Sequence, residues 1–184
     1  PWHLVDTDED ENREASSPTH SMWVGDESKG DGEYDDNWDF SLYTAQNISL
    51  GTNPSMAVDL WYSVENSWDG GNVQISTDGG ESWTVIDPDG GYPDDAIVGL
   101  DNEPGYTATS GEGEETDWEV ATFSLTDYAN QDVKFRFRFG TDAITMRSKP
   151  LWPGPIQSSL ICDFRFDRNL NKRFRLLLNF ISGL

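Results

Sequence analysis

An all-β domain built of antiparallel strands is what this sequence predicts, and three observations carry the prediction. Between about residues 21 and 141, apolar and polar residues alternate with period 2, the spacing that sends successive side chains to opposite faces of a strand. Gly, Asn, Asp and Pro punctuate that alternation at short intervals, as turns require. No stretch of useful length before residue 146 carries the 3.6-residue period of an amphipathic helix.

Taken in order, the first strand falls at 38–44. The second, at 58–64, sets Val58, Leu60, Tyr62 and Val64 on one face against Asp59, Trp61, Ser63 and Glu65 on the other. Shorter strands follow at 72–77 and 82–87, then one at 118–125. The clearest lies at 133–139, where Val133, Phe135, Phe137 and Phe139 alternate with Lys134, Arg136 and Arg138. Residues 87–117 are rich in Gly, Pro, Asp and Thr and read as a long loop or a loosely paired region, a place where binding groups collect. No internal repeat is visible.

Composition bounds the class. One domain of 184 residues can bury a sizeable core. Mean hydropathy is low at −0.64, yet 12% of residues are aromatic, which disordered acidic chains lack. The formal charge of −22 repels phosphate backbones and anionic lipid, so nucleic acid is excluded as a partner. Dense carboxylates suit a halophilic setting, where salt screens the repulsion, or divalent cations that take oxygen ligands. A single cysteine, Cys162, allows no internal disulfide framework. The start at Pro1, with no initiator Met or apolar leader, reads as a piece of a longer chain.

Charge also divides the chain. Up to Met146 there are 5 basic and 32 acidic residues, whereas 147–184 holds 7 basic and 2 acidic. Three parts follow: an acidic linker or irregular entry segment at 1–20, the β domain at 21–146, and a basic tail at 147–184. The acidic run at 6–14 is expected to hold little regular structure.

The first motif is Ser76-Thr77-Asp78-Gly79-Gly80-Glu81-Ser82-Trp83. Its glycines allow positive φ, and the Asp78 carboxylate can accept turn amides, so Ser76, Asp78, Gly80 and Trp83 define a tight hairpin. The spacing resembles the Asp box of sialidase-type propellers. One copy builds no propeller, and its expected role is structural.

A wider set of stretches arrives in a familiar order: Ser21-Met22-Trp23-Val24-Gly25, Asn37-Trp38-Asp39, Leu60-Trp61-Tyr62-Ser63-Val64-Glu65, then Asp69-Gly70-Gly71 and the hairpin. Gly105-Tyr106-Thr107-Ala108-Thr109-Ser110-Gly111, Trp118, Phe123-Ser124-Leu125 and Tyr128-Ala129-Asn130-Gln131-Asp132-Val133 complete it, leading into Phe135-Arg136-Phe137-Arg138-Phe139. Together, over about residues 20–145, these resemble the MAM-like jelly-roll domain that accompanies immune inhibitor A type metallopeptidases and bacterial and archaeal surface proteins. The resemblance implies an antiparallel two-sheet jelly-roll sandwich, an extracellular or cell-surface setting, a parent chain with other domains as partners, and calcium in the sandwich or its loops.

The sequence departs from that family after Asp142, where a terminal strand of the type Gly-Trp-x-x-Asp-Asp should follow. With the charge reversal, this suggests that 147–184 arises from a shifted reading frame or is disordered. The competing reading is a real basic segment, helical over 173–181, that lies on the acidic body or on a membrane surface, the one route to membrane contact.

Calcium wants several hard oxygen ligands, and carboxylates cluster at Asp35, Asp36 and Asp39, at Glu65 and Asp69, and at Asp142. Glu65 and Asp69 rank first, since they flank a strand end within the stretch that matches the family. There is no EF-hand loop. Catalysis finds little footing: His3 and His20 are the only histidines, and neither belongs to a His-Glu-x-x-His helix. Asn47-Ile48-Ser49 is a glycosylation sequon.

The leading expectation is a non-catalytic accessory module that binds a protein or glycan ligand. The alternative is a carbohydrate-binding module using Trp61, Trp68 or Tyr92 to stack on sugar rings. A third is a fragment of a sialidase or glycosidase, whose paired carboxylates any two acids could supply.

Overall fold

The computed structural model describes residues 2–6, 20–26, 34–111, 117–143 and 159–166, the last as backbone. Among them are twelve strands, β1 (Trp2–Asp6), β2 (His20–Val24), β3 (Asp39–Tyr43), β4 (Ile48–Ser49), β5 (Ser55–Ser63), β6 (Gly70–Ser76), β7 (Thr84–Val85), β8 (Asp94–Ile97), β9 (Glu103–Gly105), β10 (Glu119–Ser124), β11 (Asp132–Gly140) and β12 (Ser159–Phe166); all but β8 and β9, which pair with each other, form an antiparallel two-sheet jelly-roll sandwich. One sheet runs β1-β2-β12-β5-β10 and the other β3-β11-β6-β7, with β4 also on β11.

The winding is legible in the pairs. β6 pairs with β7, β5 with β10, β3 with β11 and β2 with β12, so the second half of the chain retraces the first in reverse order. The β6–β7 hairpin, which carries the Asp-Gly-Gly turn, is the tip of that long fold-back.

Alternation explains the core. Met56, Val58, Leu60 and Tyr62 of β5 meet Val133, Phe135, Phe137 and Phe139 of β11 across the layer, with Val73 and Ile75 of β6 and Phe123 of β10 filling between them. Phe123, Phe135 and Phe139 are fully buried, each worth roughly 1.5–3 kcal/mol of apolar burial. Trp2 joins this core from β1, and its indole N–H donates to the Phe40 carbonyl on the other sheet.

Five predicted strands return as β3, β5, β6, β10 and β11, and 82–87 contracts to the two-residue β7. Four differences carry physical reasons. Trp2–Asp6, within the segment read as an irregular entry, is a strand because its backbone pairs along all of β2, from Trp2 opposite Val24 to Asp6 opposite His20. The loop expected at 87–117 contains the β8–β9 hairpin, which closes around a 3₁₀ turn at Val98–Leu100. Ser159–Phe166, inside the segment read as a basic tail, pairs with both β2 and β5 and fills the position between them. The two-residue β4 follows the sequon Asn and is held by β11. The rest of the acidic run, 7–14, and the helix expected at 173–181 lie outside the described residues.

The β8–β9 segment forms a third layer over one end of the second sheet. Ile97 and Leu100 are fully buried in it, and glycines let it approach. A Cβ on Gly140 would stand 2.0 Å from the Gly99 carbonyl oxygen, and one on Gly70 would stand 2.4 Å from the Tyr106 carbonyl oxygen. Backbone therefore packs on backbone, and only glycine fits.

Candidate functional site

Polar side chains gather at three places, each fixed by the strand alternation that builds the core. The first lies at the start of β6. Asp69 is buried, its Oδ2 accepting the Tyr34 hydroxyl at 2.7 Å and its Oδ1 the Asp142 backbone N–H at 2.9 Å. The Tyr34 hydroxyl in turn accepts the Glu65 backbone N–H at 3.1 Å. Burial drives the Asp69 carboxyl up to about 6; its two hydrogen bonds oppose that rise, while the charges of Asp142 and Glu65 add to it. Burial beside the same carboxylate also holds the Tyr34 phenol neutral, well above its ordinary value.

Of the acids expected to ligate calcium, the structure thus brings Glu65, Asp69 and Asp142 into one electrostatic neighbourhood. Asp142 is buried as deeply as Asp69. Asp36 instead sits exposed in the turn before β3. Among the described residues, no three His, Cys, Asp or Glu side chains converge as a metal cage. Asp69 and Asp142 are the buried carboxylates that could hold a hard cation such as calcium here.

The second place explains Asp39. Its carboxylate takes the Arg138 guanidinium bidentately, at 2.9 and 3.0 Å. Arg138 reaches Asp101 at 2.6 Å and Glu103 at 3.1 Å as well, so one buried cation ties β3 and β11 to the β8–β9 layer. These partners hold its guanidinium protonated, with Asp39 the largest contributor. Asn72 and Gln74 of β6 donate to the same Glu103 carboxylate, at 3.1 and 2.9 Å. Asp39 therefore anchors, within the second sheet, the arginine that latches the third layer.

The third place is the outer face of the second sheet near the hairpin. Asp78 closes the turn as expected: it accepts the amides of Glu81 at 2.9 Å and Ser82 at 3.0 Å and the hydroxyls of Ser76 and Ser82. Those bonds, led by the Ser82 hydroxyl, hold its carboxyl well below the usual range. Gly79 and Gly80 take φ of 82° and 104°, the conformation the motif demanded. The Gly80 amide donates to Ser76 Oγ at 2.8 Å. Trp83 then folds back over the sheet, where the Arg136 guanidinium lies 4.9 Å from its ring centre and the Tyr43 ring 5.5 Å away.

The chain matches no protein-family model and no curated protein. Among solved structures it is similar to the K2 cleaved adhesin domain of Lys-gingipain, with a TM-score of 0.42 and 16% identity over 89% of this chain and 87% of that one. It is similar also to the K3 cleaved adhesin domain of Lys-gingipain from Porphyromonas gingivalis, at 0.39 and 12% over 89% and 88%.

The three aromatics expected as sugar platforms fall on different parts of the surface. Trp61 packs beside Trp23 and Trp118 on the outer face of the first sheet. Trp68 is half-buried in the turn that leads to Asp69. Tyr92 packs on the core, its hydroxyl accepting the Val73 N–H at 3.0 Å and donating to the Ile86 carbonyl at 2.9 Å. Nothing in the local sequence singles out Tyr43. Its signal was the register that sets it opposite Arg136, and pairing between segments so far apart is not written in either one.

Among the described residues no helix is long and apolar enough to cross a membrane.

Proposed function

We propose that this chain is a non-catalytic binding module of a larger extracellular or surface protein, attached to other domains of its parent chain and stabilised by calcium at Asp69 and Asp142. The observation that carries the reading is where the charged side chains are spent. Arg138 with Asp39, Asp101 and Glu103 ties the third layer to the sandwich, and Asp78 with its turn amides fixes the shape of the hairpin tip. That arrangement holds a surface in fixed shape, which is what a binding module needs to avoid paying ordering entropy on contact. Calcium is supported by chemistry: two buried carboxylates whose charges act on each other are relieved by a divalent cation shared between them.

A carbohydrate ligand is the specific form favoured by one further observation, the exposed Tyr43 ring beside Trp83 and Arg136. The test of the module reading is turnover. Purified chain incubated with a panel of fluorogenic glycosides and labelled peptides is expected to release no product above a heat-denatured control. Saturable turnover abolished by substituting a single carboxylate would overturn the reading in favour of the glycosidase alternative.

A further inference from the structure

Between residues 34 and 143 the chain has three basic side chains, Lys134, Arg136 and Arg138, and all three alternate onto the outer face of β11. Arg138 is matched by three carboxylates. Arg136 and Lys134 make no ion pair among the described residues. Arg136 instead spends its Nε and one Nη on the Gln74 side-chain oxygen and lays its guanidinium plane over Trp83. Lys134 runs past Gly80, whose missing side chain leaves room between the Lys134 stem and the Trp83 ring. Tyr43, directly opposite Arg136 in register, is 41% exposed.

We infer that this platform of Tyr43, Trp83, Arg136 and Lys134 binds a carboxylated pyranose, a residue of an acidic polysaccharide of the polyuronate class. The inference rests on the binding-module reading and names its ligand. Exposed Tyr43 offers a face on which the C–H side of a sugar ring stacks, and the adjacent Arg136 and Lys134 donate to a carboxylate on that ring. A neutral sugar would offer neither cation a counter-charge. An acidic peptide fits less well, because its carboxylates would meet the two cations but it brings no rigid C–H ring face to lie on Tyr43.

The net charge of −22 does not forbid an anionic ligand here. At physiological ionic strength charges more than about 8 Å apart are largely screened, so the cations in contact decide the sign. Of the acids near that face, Asp39, Asp101 and Glu103 are engaged by Arg138, Asp132 accepts the Ser49 hydroxyl, and Asp78 accepts its hairpin amides.

Affinity electrophoresis of the full chain through gels containing polygalacturonate tests this, with dextran, dextran sulfate and poly-L-glutamate gels alongside. Polygalacturonate is expected to retard the protein and the other three to leave it unretarded. Tyr43→Ala and Lys134→Ser are each expected to weaken retardation by about 10-fold. Both positions lie on the outer face, and the melting temperature of each variant reports whether it folds. Equal retardation by dextran sulfate or polyglutamate would reduce the site to a patch of charge and overturn the assignment. So would no retardation by polygalacturonate, or unchanged retardation of both folded variants. Release of reducing ends from the polymer would overturn the module reading instead, which separates the two failures.

Discussion

Asp69 carries the most informative single-residue chemistry in the molecule. Its folded carboxyl is raised from 3.8 to about 6, so the native state holds that proton more tightly than the unfolded chain does. In chelator, the stability this contributes is fully present below the unfolded value and is lost as pH rises through about 6. Calcium acts in the opposite sense, since it binds the ionised form. At pH 7 and constant ionic strength, calcium at about 100 times its Kd is expected to raise the melting temperature by roughly 5–10 °C, and sodium chloride of equal ionic strength by less. Asp69→Asn should abolish both the calcium increment and the descending pH limb. A wild-type melt indifferent to calcium and chelator would remove the cation from the account. Glu65 and Asp69 are legible as candidates because they flank a strand end, and Asp142 only as one more acid in a chain rich in them. Sequence alone misplaces Asp39 because the partner that claims it, Arg138, is 99 residues away, and only the β3–β11 register brings them together.

Elements are governed here by how closely backbones approach. The third layer of β8, β9 and their 3₁₀ turn sits on the end of β11 because Gly99 and Gly140 carry no side chains. Gly140→Ala is expected to cost about 1–3 kcal/mol, as overpacking does, read as a lower midpoint in denaturant with unchanged slope. Gly51→Ala is the control, because a Cβ there meets nothing within 4 Å. Equal stability of the two variants would show that the third layer is loose. Long alternating strands such as β5 and β11 were legible because seven residues of period 2, at 58–64 and 133–139, fit a strand and not a helix. β8 and β9 were not: strands of four and three residues around a register shift carry too few alternations to be told from loop. β1 was hidden by the acidic run that follows it, and β12 by the basic composition around it. Both are strands because β2 and β5 offer edges that need partners.

At the scale of the whole molecule, the strong negative charge and the jelly-roll winding divide the labour. Charge sets the long-range field around the molecule and says nothing about fold. The winding brings segments far apart in sequence to the same surface, which is why fold class could be read in advance while the platform of Tyr43, Trp83 and Arg136 could not. Everything above depends on β11 lying inside the second sheet, with β3 on one side and β6 on the other. Nuclear Overhauser contacts on isotope-labelled protein test this directly. The account predicts cross-strand contacts from residues 134–140 to both 39–43 and 70–76, in the register that sets Phe137 opposite Leu42 and Val73. Contacts to one flank only, or a run of sequential helical contacts through 132–140, would contradict it.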